Sequence, residues 1–255
     1  MATRTAVRAR PYLALRAGSL EPVVLTCEHA TNRLPRPAAP RAEERRILAT
    51  HWGWDIGAWR LTRELSHRLG TSAIGGRWSR LLVDLNRRID DPTLIREQAG
   101  EVRLSWNARV TGRERERRVL DYHAPYHEAI DHLLVRRLVR GVRPLLFAVH
   151  TFTPEFDGEI RDFDAGVLYE RDGELARRLA RALRVAGLSV RYNQPYSGMA
   201  GMMYAVDRHG KHHGLPCLEL ELNQELFARA AAAAELGRRV AAGIRGLLDP
   251  RDRRR

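Results

Sequence analysis

Short apolar runs alternate with amphipathic stretches along this chain, and the two periods predict strands and helices in turn. Residues 22–27 (PVVLTC) and 144–149 (PLLFAV) are apolar or β-forming throughout. The first run stops at Glu28-His29 and the second at His150, so each predicts a buried strand that delivers polar groups to its C-terminal end. Further strands are expected at 71–74, 165–169, 188–192 and 215–222. In the last of these, Glu219 and Glu221 alternate with Leu218, Leu220 and Leu222 and so share a face. Residues 79–86 (SRLLVDLN) predict another strand, with Arg80, Leu82, Asp84 and Asn86 on one side and Leu81, Val83 and Leu85 on the other.

Helices are expected at 42–50 and 58–69, the second carrying Trp59, Leu61, Leu65 and Leu69 near helical spacing, ended by Gly70 and capped by Asp55. A long helix over 113–140 is expected to break near Pro125, with Tyr126, Ile130, Leu133, Leu134 and Leu138 as its apolar stripe. Residues 173–186 and 224–248 complete the helices. Residues 89–104 read as a covering loop. Strands and helices alternate, so the pattern predicts a three-layer α/β/α single domain with a mixed, mostly parallel sheet.

In open sheets of this class, ligands bind beyond the strand C-termini. His29 and His150 end two strands there, with Glu28 and Asp55 as possible carboxylate partners. Zinc in hydrolases takes three nitrogen or oxygen ligands and keeps one position for water. Glu219 and Glu221 suit a general base, unless they face solvent from an edge strand. Arg80, Asn86 and Arg87 suit carboxylate binding or carbonyl polarisation; the plain alternative is a salt bridge among Arg80, Asp84 and Arg88. Tyr196 and Ser197, ahead of the flexible Gly198–Gly201 segment, are candidate lining residues or a simple turn. His209, His212 and His213 with Lys211 tempt a metal reading, and on a helix His209 and His213 would share a face, but Gly210 and Gly214 argue for a solvated loop, with pocket-lining by His209 or His213 as the alternative. His51, His123, His127 and His132 read as structural.

Composition narrows the partners. The 255 residues are read as one domain, with a core over about 20–248 between basic tails. The tail 251–255 is expected to be disordered. The acid-free opening has something of a transit peptide but no signal-peptide apolar region, and reads as an arm or edge strand. Cys27 and Cys217 lie in apolar runs and read as free thiols in the cytoplasm. No stretch approaches the roughly 18–20 apolar residues of a membrane span. The net charge of +13 raises nucleic-acid binding, but Lys211 is the sole lysine among 44 basic residues and the arginines fall at helical spacing. A solvated face is the simpler reading, and a non-enzymatic basic binding protein is the competing one. Nothing in the pattern fixes the oligomeric state.

The motifs CEHATNRLP, GWDIGA, SRLLVDLNR, VHTFTP, NQPYSG and LELELNQEL, in this order over about residues 20–245, resemble the N-formylglutamate amidohydrolase family. That family groups with the zinc carboxypeptidase and aspartoacylase-like hydrolases of phosphorylase/hydrolase-like fold. The resemblance implies a zinc-dependent amidohydrolase that cleaves the N-acyl amide of a small amino acid such as N-formyl-L-glutamate, as in histidine degradation. A deacylase or peptidase for another N-acyl amino acid or a short peptide is the alternative. His29 and His150 match the family's motif histidines and are the implied zinc ligands. Aspartoacylase-like enzymes carry His-x-x-Glu, whereas here Asn32 follows His29-Ala30-Thr31. The resemblance therefore favours Asp55 over Glu28 as third ligand. It further implies that Asn86 and Arg87 bind the substrate carboxylate, that Arg80 polarises the carbonyl, and that Glu221 is the base, with Glu219 as fallback.

Overall fold

The computed structural model describes residues 10–249. Seven segments pair into one sheet: β1 (Tyr12–Leu15), β2 (Val23–Cys27), β3 (Ala73–Gly76), β4 (Leu145–Phe152), β5 (Ala165–Leu168), β6 (Val190–Tyr192) and β7 (Cys217–Asn223). Their spatial order is β1-β3-β2-β4-β7-β5-β6. The central four, β3, β2, β4 and β7, run parallel. β1 and the β5–β6 pair run against them. Two two-stranded hairpins, Gln98–Ala99 with Val102–Arg103 and Glu155–Phe156 with Glu159–Ile160, lie outside the sheet.

The helices are α1 (Ala42–Leu48), α2 (Ala58–Leu69), α3 (Gly112–Arg118), α4 (Ala124–Leu138), α5 (Gly173–Val185), α6 (Tyr204–His213) and α7 (Ala232–Leu248). Alternation along the strands decides what each sheet face meets. Val23, Leu25, Phe147, Val149, Leu218 and Leu220 pack on Leu61, Leu179, Val240 and Ile244 of α2, α5 and α7. Val24, Leu146, Ala148 and Cys217 face the other way, onto Tyr126, Ile130 and Leu134 of α4 and Val206 of α6. This is the mixed, mostly parallel α/β/α arrangement the pattern predicts. Cys27 and Cys217 are free and buried, and they belong to opposite faces of the sheet.

Four local readings need correction. Residues 79–86 form turns rather than a strand. Leu81 packs with Leu48 and Leu104, Val83 with Leu94 and Ile95, and Leu85 with Val24 and Ile74. The alternation thus serves three small clusters that a coiled segment threads, not a pleat. The long helix does not break at Pro125 either. A π-helical turn at Val119–His123 joins α3 to α4, and Pro125 sits in the first turn of α4, where its missing N–H costs least. Residues 204–213, read partly as a loop, are helix α6. Gly210 lies so close to β7 that a Cβ there would meet Cys217 Sγ at 2.9 Å, and Gly214 ends the helix at φ 61°. The last expected helix is divided into a 3₁₀ turn, Gln224–Phe227, and α7, with Asn223 accepting from Glu225 N–H at the turn's start. The basic arm of the opening is edge strand β1 where it is described, and the 251–255 tail lies outside the described residues. Among the described residues, no helix is long and apolar enough to cross a membrane.

Candidate active site

Register builds the site. Thr26 pairs with Ala148, and Glu221 with His150. Two residues further along β2 and β4, Glu28, His150 and Glu221 fall in one row at the C-terminal edge of the sheet, on its α4/α6 face. β7 lies between β4 and β5, so Glu219 and Glu221 face the protein interior, not solvent from an edge. Both are buried, as are Glu28, His29, Asp55, Asp84 and His150.

Asp55 does not cap α2: Gly57 is the N-cap and no side chain caps it. The Asp55 carboxylate turns inward instead. Oδ2 lies 2.8 Å from His150 Nδ1 and Oδ1 lies 3.4 Å from His29 Nδ1. The outer nitrogens of both imidazoles are held by other carboxylates. His29 Nε2 meets Asp84 Oδ1 at 2.8 Å, and His150 Nε2 meets Glu28 Oε2 at 2.8 Å. Glu28 also accepts from Tyr126 Oη–H at 2.8 Å. The ligand-type atoms of His29, Asp55 and His150 lie within 4.8 Å of one another, and Glu28 lies outside that trio.

This donor set fits a divalent metal. Two imidazole nitrogens and a carboxylate oxygen converge, His29 Nδ1 is buried with no hydrogen-bond partner, and each imidazole's far nitrogen rests on a carboxylate, the outer arrangement usual for metal-binding histidines. Charge points the same way. Glu28, Asp55, Asp84, Glu219 and Glu221 are buried around Arg80 and two histidines. Burial alone would raise Asp55, but His29 and His150 hold its carboxyl far below the usual range. Burial likewise opposes the Asp84 charge, and Arg80 and His29 restore it. Burial lifts Glu219 and Glu221, the first also by Glu221 and Glu28, the second also by Asp55.

The trio opens on a cavity of about 220 Å³ lined by Arg80, Asn86, Arg87, Arg96, Tyr196, Met202, Glu219 and Glu221 among others. Arg80 spends Nε and Nη2 on Asp84, at 3.0 and 2.7 Å, and leaves Nη1 3.8 Å from Asp55; Arg88 pairs with Asp90 at the surface instead. Asn86 accepts from Ala205 N–H and donates to Met202 O, so one of its N–H bonds remains for a ligand. Ser197 does not line the cavity; its carbonyl instead accepts from Ala200 and Met202 in the 3₁₀ turn Gly198–Ala200. Glu219 Oε2 lies 3.7 Å from His150 Nε2, and both Glu219 Oε2 and Glu221 Oε2 are buried without a hydrogen-bond partner.

Several contributors escape the sequence. Asp84 and Tyr126 act across 55 and 98 residues of chain. Arg96, over the Trp52 ring, lines the cavity with no carboxylate within salt-bridge reach among the described residues. His51, read as structural, is also on the wall. Arg161 is buried against Phe152, Phe156 and Tyr196, with Nε unpartnered. Trp52 lies 44 residues from Arg96 and Tyr196 lies 35 residues from Arg161, so these pairings leave no mark in the sequence.

The sequence profile of N-formylglutamate amidohydrolase matches residues 21–228. An N-formylglutamate deformylase of Pseudomonas aeruginosa is 28% identical over 254 residues, covering 89% of this chain and 91% of that protein. The crystal structure of a gene product of Agrobacterium tumefaciens superposes with a TM-score of 0.86 at 25% identity, covering 94% of this chain and 95% of that one. An N-formylglutamate amidohydrolase from Ralstonia eutropha JMP134 shares the fold, with a TM-score of 0.73, 19% identity, and 94% and 98% coverage. The profile spans most of the sequence, through both histidines, Asp55 and the β7 glutamates, and the chain belongs to the N-formylglutamate amidohydrolase family.

Proposed function

We propose that this chain hydrolyses the formyl amide of N-formyl-L-glutamate, or of a close N-acyl amino acid, with a divalent metal, zinc by donor type, held by His29, Asp55 and His150. The observation that carries the reading is the convergence of that trio beside two buried carboxylates, Glu219 and Glu221, each with one oxygen that makes no hydrogen bond, on the wall of one small cavity. Zinc, when bound, supplies a Lewis acid and a water of lowered pKa.

The chain's own groups supply the rest. Asp84 and Glu28 fix the two imidazoles so that both Nδ1 atoms face Asp55. Glu221 takes the proton of the attacking water and returns it to the leaving amine. Asp55, Arg80 and Arg161 act on its charge, whereas Glu219 lies against the outer nitrogen of His150. Arg80 Nη1 donates to the oxygen of the formyl carbonyl as it gains charge. Arg87, with the spare N–H of Asn86, receives the α-carboxylate, and Arg96 the side-chain carboxylate. Among the described residues neither arginine has a carboxylate within salt-bridge reach, which suits a dianionic substrate. The free thiols of Cys27 and Cys217 suit a cytoplasmic setting.

The test is metal content by elemental analysis, together with formate release from N-formyl-L-glutamate, for the wild-type chain and the His29→Ala and His150→Ala variants. The reading requires formate release that both substitutions abolish along with metal at this trio. Metal-loaded wild-type protein that releases nothing from N-formyl or N-acetyl amino acids would overturn it.

A further inference from the structure

A second group of ligand-type side chains lies away from the cavity, between α4 and α6. Asp131 of α4 places Oδ1 2.7 Å from His209 Nδ1 and 2.8 Å from His213 Nε2. The two histidines are four residues apart on α6 and share a face. The three donor atoms fall within 4.8 Å of one another. The His209 side chain is 1% exposed, that of His213 11% and that of Asp131 34%, so the group is walled on one side and open to water on the other.

A third imidazole stands behind the pair. His127 Nδ1 lies 2.9 Å from His209 Nε2, and His127 Nε2 lies 3.1 Å from Leu85 O. The far nitrogen of His209 is thus held by a polar partner while its Nδ1 faces Asp131, the outer arrangement usual for a metal-binding histidine. One carboxylate oxygen, Asp131 Oδ1, is shared by both imidazoles of α6. A divalent cation serves both imidazoles and the carboxylate together. The helix C-terminus adds to this, because His213 is the last residue of α6, where the helix dipole favours positive charge.

We propose that Asp131, His209 and His213 form a second divalent-metal site, separate from the His29 trio. Two imidazole nitrogens and one carboxylate oxygen are the donor set of zinc-class transition metals, and the open side leaves a position for water. The site pins α6 to α4. It also reaches the active site through His127, whose hydrogen bond holds Leu85 between Asp84 and Asn86, and through Ala205 of α6, whose N–H holds Asn86. The role is structural, since the cavity lining includes none of its three residues.

The experiment counts zinc. Full-length protein is stripped with chelator, dialysed against zinc chloride and assayed by elemental analysis. The same is done for His29→Ala, for His213→Ala and for the double variant, each checked for folding by circular dichroism. Two zinc ions per wild-type chain, one in each single variant and none in the double variant would establish the site. Cobalt loaded into His29→Ala should give visible absorption bands that the added His213→Ala removes. Asp131→Asn, nearly isosteric, replaces His213→Ala should the latter not fold. One zinc per wild-type chain, unaffected by His213→Ala or Asp131→Asn, would overturn the proposal. The count at this site is independent of hydrolysis, so it stands or falls apart from the proposed activity.

Discussion

Five buried carboxyl groups within one site raise the question of which moves protons. Asp55, Asp84 and Glu28 each meet an imidazole at close range, which commits them to holding position. Glu219 and Glu221 each keep one buried oxygen without a hydrogen-bond partner, the condition of a carboxylate that waits for a ligand. Glu221→Gln should therefore lower turnover by about 10²–10⁴-fold, the usual worth of general acid–base help, while zinc content stays unchanged. Wild-type turnover in Glu221→Gln would shift the role to Glu219. Arg80→Lys keeps the charge but loses the two-point grip on Asp84. It should reduce kcat more than it raises KM in steady-state assays, because Arg80 is assigned to the developing oxyanion. An effect on KM alone would make Arg80 a substrate-binding group. Much of this set is legible one residue at a time. His29 and His150 stand where apolar runs end, and Glu219 and Glu221 alternate with leucines. Asp84 carries the same alternation and meets Arg80 four residues away, but its contact with His29 and that of Tyr126 with Glu28 leave no mark, because those partners lie far along the chain.

At the scale of elements, turns decide where the ligands point. Gly57 stands at φ 92°, and a Cβ there would sit 2.3 Å from the Phe227 ring. Only glycine lets the segment after Asp55 tuck beneath the 3₁₀ turn Gln224–Phe227 and enter α2. Gly57→Ala should cost at least about 1–2 kcal/mol from backbone strain alone, read as a lower urea midpoint, and should weaken metal retention through Asp55. Unchanged stability would refute this account. The start of α1 offers a pH test. The Glu44 carboxylate is fully buried and accepts from Arg41 N–H at 2.6 Å, Ser105 N–H at 2.5 Å and Arg41 Nη2 at 3.1 Å. Burial alone would raise its pKa, but these donors outweigh that and hold it at about 2, against 4.5 for an unperturbed glutamate. A carboxyl depressed on folding stabilises fully above its unfolded pKa and loses that support as pH falls through the folded one. Glu44→Gln should thus be less stable than wild type at pH 7 by about 1–3 kcal/mol. The gap should close between about pH 4.5 and 2 in urea titrations. A gap constant with pH would show that shape, not charge, matters at this position.

Across the whole molecule, the site is a seam. β2 and β4 bring the histidines, the turn ahead of α2 brings Asp55, and the coiled segment 79–87 brings Arg80 and Asp84. β7 adds the glutamates. A bound metal ties these pieces together only in the folded chain, so it should stabilise by mass action, about 2.7 kcal/mol at a hundredfold excess over Kd. In a His213→Ala background, which removes the proposed site between α4 and α6, chelation should lower Tm by about 5–10 °C for a chain of this size. Added zinc should restore it. A melting curve indifferent to chelator and zinc would contradict metal binding at His29, Asp55 and His150.

The sequence by itself determined the layers, the strands that carry His29 and His150, the shared face of Glu219 and Glu221, and the candidacy of Asp55. Burial period and abrupt polar stops are local properties, written in neighbouring residues. The tertiary structure alone decided three things. It placed Glu28 behind His150 rather than in the trio, because the row across β2, β4 and β7 depends on register between strands distant in sequence. It turned residues 79–86 from a strand into a thread through separate clusters, since alternation looks the same whether the apolar side chains meet one surface or three. It made a helix of 204–213, because Gly210 answers to the closeness of β7 and Gly214 to the end of the helix. A glycine's reason lies in what it touches, and that neighbour is chosen only when the chain folds.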